Sequence, residues 1–200
     1  MKIIPLKEEY VEQMVDVHMQ SFPEFFLTFL GPRFLKEFYS SFLHDRAGMA
    51  FVAVEDGNVL GGVVGPLNPD GYFKRLLMRR WYAFILASLS AVIKKPSVMP
   101  RLFRAVFYRG DSPDNGQPRS LLSSIAVSPD SQGKGVGAAL VNAWLEEAEK
   151  RESKGCFLTT DKENNESTNR FYKKLGWKLE TSFATPEGRK MNRYVYDFDN

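Results

Sequence analysis

This chain of 200 residues is short of the groups that bind metals or cross-link a fold. A single cysteine cannot form an internal disulfide, so a reducing, cytoplasmic setting is expected. Cys156 opens an apolar run and reads as a small buried hydrophobe rather than a catalytic thiol. Only two histidines are present, His18 and His44, at no metal-ligand spacing from each other or from Cys156, and no metal is expected. Charges at Lys2, Lys7, Glu8 and Glu9 interrupt any export-signal core. The most apolar stretch, residues 81–93, is shorter than the roughly 20 residues that cross a bilayer. Acidic residues are missing altogether from residues 72–109, where nine lysines and arginines give +9; the whole chain is +3, so the remainder is −6.

What is present suits one domain over residues 1–200, with 44% hydrophobic residues and sixteen phenylalanines to fill a core. Residues 2–6 read as a strand, and Val11, Met14, Val15 and Met19 recur at helical spacing over 8–20. Residues 24–43 predict one or two helices broken at Gly31-Pro32. The β-rich runs 50–55 and 59–64 meet at Asp56-Gly57-Asn58, a hairpin signal. Residues 72–95 and 97–108 read as helices, 111–118 as a loop, 120–127 as one strand and 135–153 as an amphipathic helix. A strand over 157–160, a helix over 165–175 and a hairpin of 177–183 with 192–198 complete the pattern. The class is α/β (α+β), with helices flanking a mixed, mostly antiparallel sheet and a basic helical insertion over about 70–118.

The most informative stretch runs Ile125-Ala126-Val127-Ser128-Pro129-Asp130-Ser131-Gln132-Gly133-Lys134-Gly135-Val136-Gly137-Ala138. A strand, a glycine loop and a helix start together form a cradle for a pyrophosphate, because close backbone N–H groups and the helix dipole both favour an anion. The spacing Gln-x-x-Gly-x-Gly is neither of two common phosphate loops, since no Ser or Thr follows Lys134 and Gly137 leads into Ala138-Ala139-Leu140.

That run resembles the acyl-CoA-binding motif of the Gcn5-related N-acetyltransferases. Downstream, Phe157-Leu158-Thr159-Thr160, Asn165 and Asn169-Arg170-Phe171-Tyr172-Lys173-Lys174-Leu175-Gly176-Trp177 resemble the family's second element. The resemblance is specific over residues 121–177 and absent over about 70–118. It implies acetyl-CoA as co-substrate and direct transfer to a primary amine in a ternary complex. Ile125, Ala126, Val127, the loop from Gln132 through Gly133, Lys134, Gly135, Val136 and Gly137 to Ala138, and Asn165 would hold it. A backbone N–H near Val127 would face the thioester oxygen, and Tyr172 would protonate the leaving thiolate.

The general base is the gap. Relatives carry a glutamate on either of two strands; this chain has Ser123 and Ser124 at one place and Thr159-Thr160 at the other. A water relay through Ser123, Ser124 or Thr160 is the expected substitute, with Glu24 and His18 as weaker options. The acceptor is expected to be a small-molecule amine, with an amino sugar or a phosphorylated, nucleotide-linked amine suiting the basic insert. A protein N-terminus or lysine ranks second, and a non-catalytic acyl-CoA sensor is the rival from another class. The insert leaves three readings open: a peripheral membrane contact through 72–109, a cover over the acceptor cleft, or a solvated face. In the second, Trp81, Tyr82, Phe84, Ile85 and Leu89 dock on the domain. Nucleic acid is not an expected partner, and a monomer or homodimer is equally compatible.

Overall fold

Apolar residues alternate along a hairpin of two strands, β2 (Gly48–Glu55) and β3 (Asn58–Pro66), and that alternation builds two cores. Val52 and Val64 point into one core with α1 (Glu8–Ser21) and α3 (Pro32–Leu43), while α2 (Phe26–Leu30) lies just before the Gly31-Pro32 break. Ala53 and Val63 point into the other, against α5 (Val136–Lys150), whose Trp144 is fully buried. These elements come from a computed structural model that describes residues 1–94, 119–186 and 188–198. The helix expected over 97–108 and the loop over 111–118 lie outside them.

Two four-stranded sheets result. The first runs β1-β2-β3-β5, with β1 (Lys2–Pro5) and β5 (Ser124–Val127) on its edges and every pair antiparallel. The second runs β4-β6-β8-β7, from β4 (Ser120–Leu121) through β6 (Gly155–Asp161) and β8 (Lys190–Asp197) to β7 (Lys178–Ala184). Among the described strands, only β4 with β6 is parallel.

The single strand expected over 120–127 divides between the sheets. Leu122 N–H donates to the Phe157 carbonyl at 3.0 Å, and Ser123 N–H donates to the Val64 carbonyl at 2.9 Å. The switch falls between adjacent residues whose apolar pattern is continuous, so periodicity could not reveal it. Beneath the switch, a Cβ on Gly65 would sit 2.0 Å from the Leu121 carbonyl oxygen, so only glycine lets β3 pass there.

From the insert, α4 (Tyr72–Lys94) buries Tyr72, Phe73 and Phe84, the last against Phe34. The expected docking of Trp81 and Tyr82 is corrected: they are 57% and 56% exposed. At 100° per residue Tyr82 lies about 160° round the helix from Phe84, and Trp81, about 60° from Phe84, falls beyond the edge of the side that holds Tyr72, Phe73 and Leu76. Side chains of Ile85 and Leu89 lie outside the description. Cys156 is fully buried in the second core, and burial pushes its thiol up.

Candidate active site

Because β4 ends after two residues, β6 beyond Phe157 has β8 on one side and, among the described residues, a free edge on the other. β5 likewise ends its sheet. The two edges part at Leu122-Ser123, where successive N–H groups bond to different sheets, and the gap past this point is the cleft. Ser128 N–H donates to Leu60 at 2.8 Å, so alternation turns the Val127 peptide groups away from β3, to the free edge. The Val127 carbonyl there accepts from Ser21 Oγ at 2.8 Å and from Gln132 Nε2 at 3.3 Å.

The glycine loop lies at the mouth of this cleft. After a short 3₁₀ turn, Pro129–Ser131, Gly133 and Gly135 take φ of +74° and +82°, and Gly135 becomes the N-cap of α5. No side chain caps the helix, and no acid stands in its first turn. Its leading N–H groups are therefore left for an anion, and space around Gly133 and Gly135 is open. Val136 and Ala126 bury their side chains, so they can offer only backbone groups, while Gln132 and Lys134 are exposed. At Gly137 the missing Cβ would lie 3.4 Å from the Phe171 ring and 3.7 Å from Val127 Cγ2. Strand, loop helix and α6 (Glu166–Lys174) thus converge on one point.

On the β5 side stands a chain of polar groups. Ser124 Oγ lies 3.4 Å from Tyr39 Oη, which lies 2.7 Å from His18 Nδ1. His18 and Tyr39 are fully buried, and His18 Nε2 has no partner among the described residues. Burial holds the imidazole neutral, with its pKa lowered to about 4, and pushes the Tyr39 phenol up. The His18 ring packs edge-on to Phe22, which with Pro23, Glu24 and Phe25 lines a shallow, open depression of about 360 Å³. Ser123 is half-buried. Tyr39 was missed in the sequence because it lies in a phenylalanine stripe with Phe34, Phe38 and Phe42. A signal for His18 was available, since it continues the Val11, Met14, Val15 face by one turn.

The β6 side is tied by amides. Asn165 sits at the N-cap of α6, yet its side chain caps nothing; Nδ2 donates to Thr160 Oγ1 at 2.8 Å and to the Asp161 carbonyl at 3.2 Å. Asn169 donates to the Asp161 and Asn165 carbonyls and accepts from Asn192 and Tyr194. The Asp161 carboxylate is clasped by Arg189 through both oxygens. Tyr172 is 4% exposed among Phe171, Trp177 and Tyr194, and burial pushes its phenol up. The sequence-predicted residues therefore divide between two walls: Ile125, Val127 and Ser123 on one, Thr160, Asn165 and Tyr172 on the other. Asn169, which ties the second together, was given no role from the sequence.

Residues 11–177 match a family described as Acetyltransferase (GNAT) family. Among solved structures, the fold is similar to the ribosomal-protein-S18-alanine N-acetyltransferase from Escherichia coli, at 17% identity and TM-score 0.57, covering 98% of this chain and 92% of that one. It is similar to an aminoglycoside 6'-N-acetyltransferase complexed with coenzyme A, at 14% identity and TM-score 0.62, covering 98% and 97%. It is also similar to Ard1 from Thermoplasma volcanium, at 13% identity and TM-score 0.62, covering 100% and 98%. At these identities the likeness is one of fold.

Proposed function

The chain belongs to the acetyltransferase (GNAT) family, and on that premise we propose that it moves an acetyl group from acetyl-CoA to the primary amine of a small molecule. Residues 1–200 act as one catalytic domain with 70–118 inserted in it. The observation that carries the reading is the uncapped start of α5 behind Gly133 and Gly135, opening into the cleft between the β5 and β6 edges. The open space at both glycines fits a bulky anion, and the free strand edge fits an extended amide-bearing arm.

Bound acetyl-CoA supplies the activated thioester. The N–H groups of Gly135, Val136, Gly137 and Ala138 hold its pyrophosphate, with Gln132 bracing Val127 behind them. Val127 N–H, turned to the cleft, is the hydrogen-bond donor for the thioester oxygen. Tyr172 Oη carries the proton for the departing thiolate; a phenol kept protonated by burial is suited to donate rather than to ionise first.

Among the described residues, no carboxylate is assigned the role of base. Asp161 is committed to Arg189. His18, at a pKa of about 4, lies some 6 units below a free ammonium, an uphill transfer of roughly 8 kcal/mol. The Tyr39–His18 pair instead orients Ser124, and the acceptor's proton leaves through water held there. Glu24 is the carboxylate at the depression beside Phe22 and Phe25, where it attracts an incoming cationic amine.

The test is a screen of amines with acetyl-CoA, reading free thiol. Tyr172→Phe is expected to lower kcat by roughly 10²-fold with acetyl-CoA affinity little changed. Equal turnover in the variant assigns Tyr172 to packing alone. Binding of acetyl-CoA with no acceptor turned over favours a sensor instead, and preference for peptide N-termini favours a protein acceptor.

A further inference from the structure

Helix α4 leaves a face unpartnered by the described residues, and its composition is unusual for one in contact with water. Tyr72, Phe73 and Phe84 are buried, and Leu76 and Ala83 are half-buried, all within one side of the helix. Lys74, Arg75, Met78, Arg79, Trp81, Tyr82 and Leu86 occupy the other, an arc of roughly 160° at 100° per residue. Met78 is 68% exposed and Leu86 65%, alongside the exposed rings of Trp81 and Tyr82. No acid occurs from Tyr72 to Lys94. Arg79 pairs with Asp45 at 3.7 Å yet stays 73% exposed, and Arg75 donates to the Asp70 carbonyl at 2.8 Å from an exposed position.

We propose that this face of α4 docks on an anionic lipid bilayer. Amphipathic rings with polar edges suit the headgroup boundary, where the apolar Met78 and Leu86 can enter the upper acyl region. Lys74, Arg75 and Arg79 then meet lipid phosphates and carboxylates, as basic residues on interfacial helices do. A second copy of this chain would oppose cations to cations, which argues against self-association through the same face. No helix among the described residues is long and apolar enough to cross a membrane, so α4 lies on the surface rather than spanning it. The inference is independent of the acetyl-transfer reading, because it needs no occupied cleft.

The protein carries its own reporter. Of its three tryptophans, Trp144 and Trp177 are buried, at 0% and 2%, so an environment-sensitive change in emission on vesicles belongs to Trp81. Vesicles of about three parts phosphatidylcholine to one part phosphatidylserine should co-sediment the protein, blue-shift Trp81 and shield it from acrylamide, and added salt should reverse all three. Met78→Ser with Trp81→Ser and Tyr82→Ser should weaken sedimentation at least about tenfold, and Lys74→Glu with Arg75→Glu and Arg79→Glu should do likewise. Unchanged circular dichroism in both variants, and an unshifted emission of the buried pair in the variant that lacks Trp81, certify folding. Failure to sediment, or equal binding to pure phosphatidylcholine, overturns the proposal. So does Trp81 already shielded without vesicles, which means cover by residues 95–118 or, where sedimentation velocity shows dimers, by a second copy. The same Trp81 shift on soluble polyglutamate points to an acidic protein and overturns it too.

Discussion

On the β6–α6 side of the cleft the amide of Asn169 makes four hydrogen bonds; on the β5–α1 side the ring of His18 makes one and, among the described residues, leaves Nε2 with none. On the first wall the Asn169 amide is saturated, although the buried Trp177 Nε1 beside Tyr172 has no partner among the described residues. Ser182 bonds Asn192, Asn192 bonds Asn169, and Asn169 pins the start of α6 to the end of β6. The second wall keeps polar capacity in hand: Ser124 and Tyr39 are 3.4 Å apart, and the α5 N-terminus is uncapped. Unused donors buried or half-buried in a fold cost stability, typically 1–3 kcal/mol each, and persist where a ligand completes them. The wall with the saturated amide places a side chain; the other waits for groups from outside.

The sharpest way to break this contrast is to fill the open wall from within. Gly135→Asp supplies the missing N-cap carboxylate and sets it where an incoming pyrophosphate would lie. Acetyl-CoA affinity should fall by at least about 10²-fold by calorimetry, although the left-handed φ of +82° also strains any side chain there. Undiminished affinity would place the pyrophosphate elsewhere.

Acid separates the walls next. The His18 pKa is depressed from 6.5 to about 4 by burial, so the unfolded chain takes up a proton first as pH falls. Its contribution is full above pH 6.5 and is lost between 6.5 and about 4, a total of about 3 kcal/mol. Urea midpoints across that window should slope less steeply in His18→Gln than in the parent; parallel slopes would move the effect to other groups. The smallest expected change lies on the Asn169 wall. Asn169→Ala strands the partners on Asn192 and Tyr194 and should cost about 2 kcal/mol with no added pH dependence between 6.5 and 4. A loss that grew with acidity would remove the distinction between the walls.

The legible parts of this fold were those in which one short segment suffices. Gly133, Gly135 and the α5 stripe announce themselves because loop chemistry and helical period are local. The change of sheets at Leu122-Ser123 was not legible, since it depends on which distant strand, β3 or β6, supplies the next hydrogen bond. Tyr39 was hidden for a related reason: its hydroxyl matters only because Ser124, from another element, arrives beside it. On α4 an aromatic-rich pattern suggested burial of Trp81 and Tyr82, but only one side of a helix can face α2 and α3, and Phe84 took it.

The lone Cys156 has a practical consequence for every assay of this protein. Fully buried and with its thiol held protonated, it cannot reach a disulfide reagent while the fold is intact, so the folded enzyme should be silent in a thiol-trapping measurement. Released coenzyme A is then read against a flat background. In the absence of acetyl-CoA the same reagent becomes a clock for global opening, one equivalent of colour per unfolded chain.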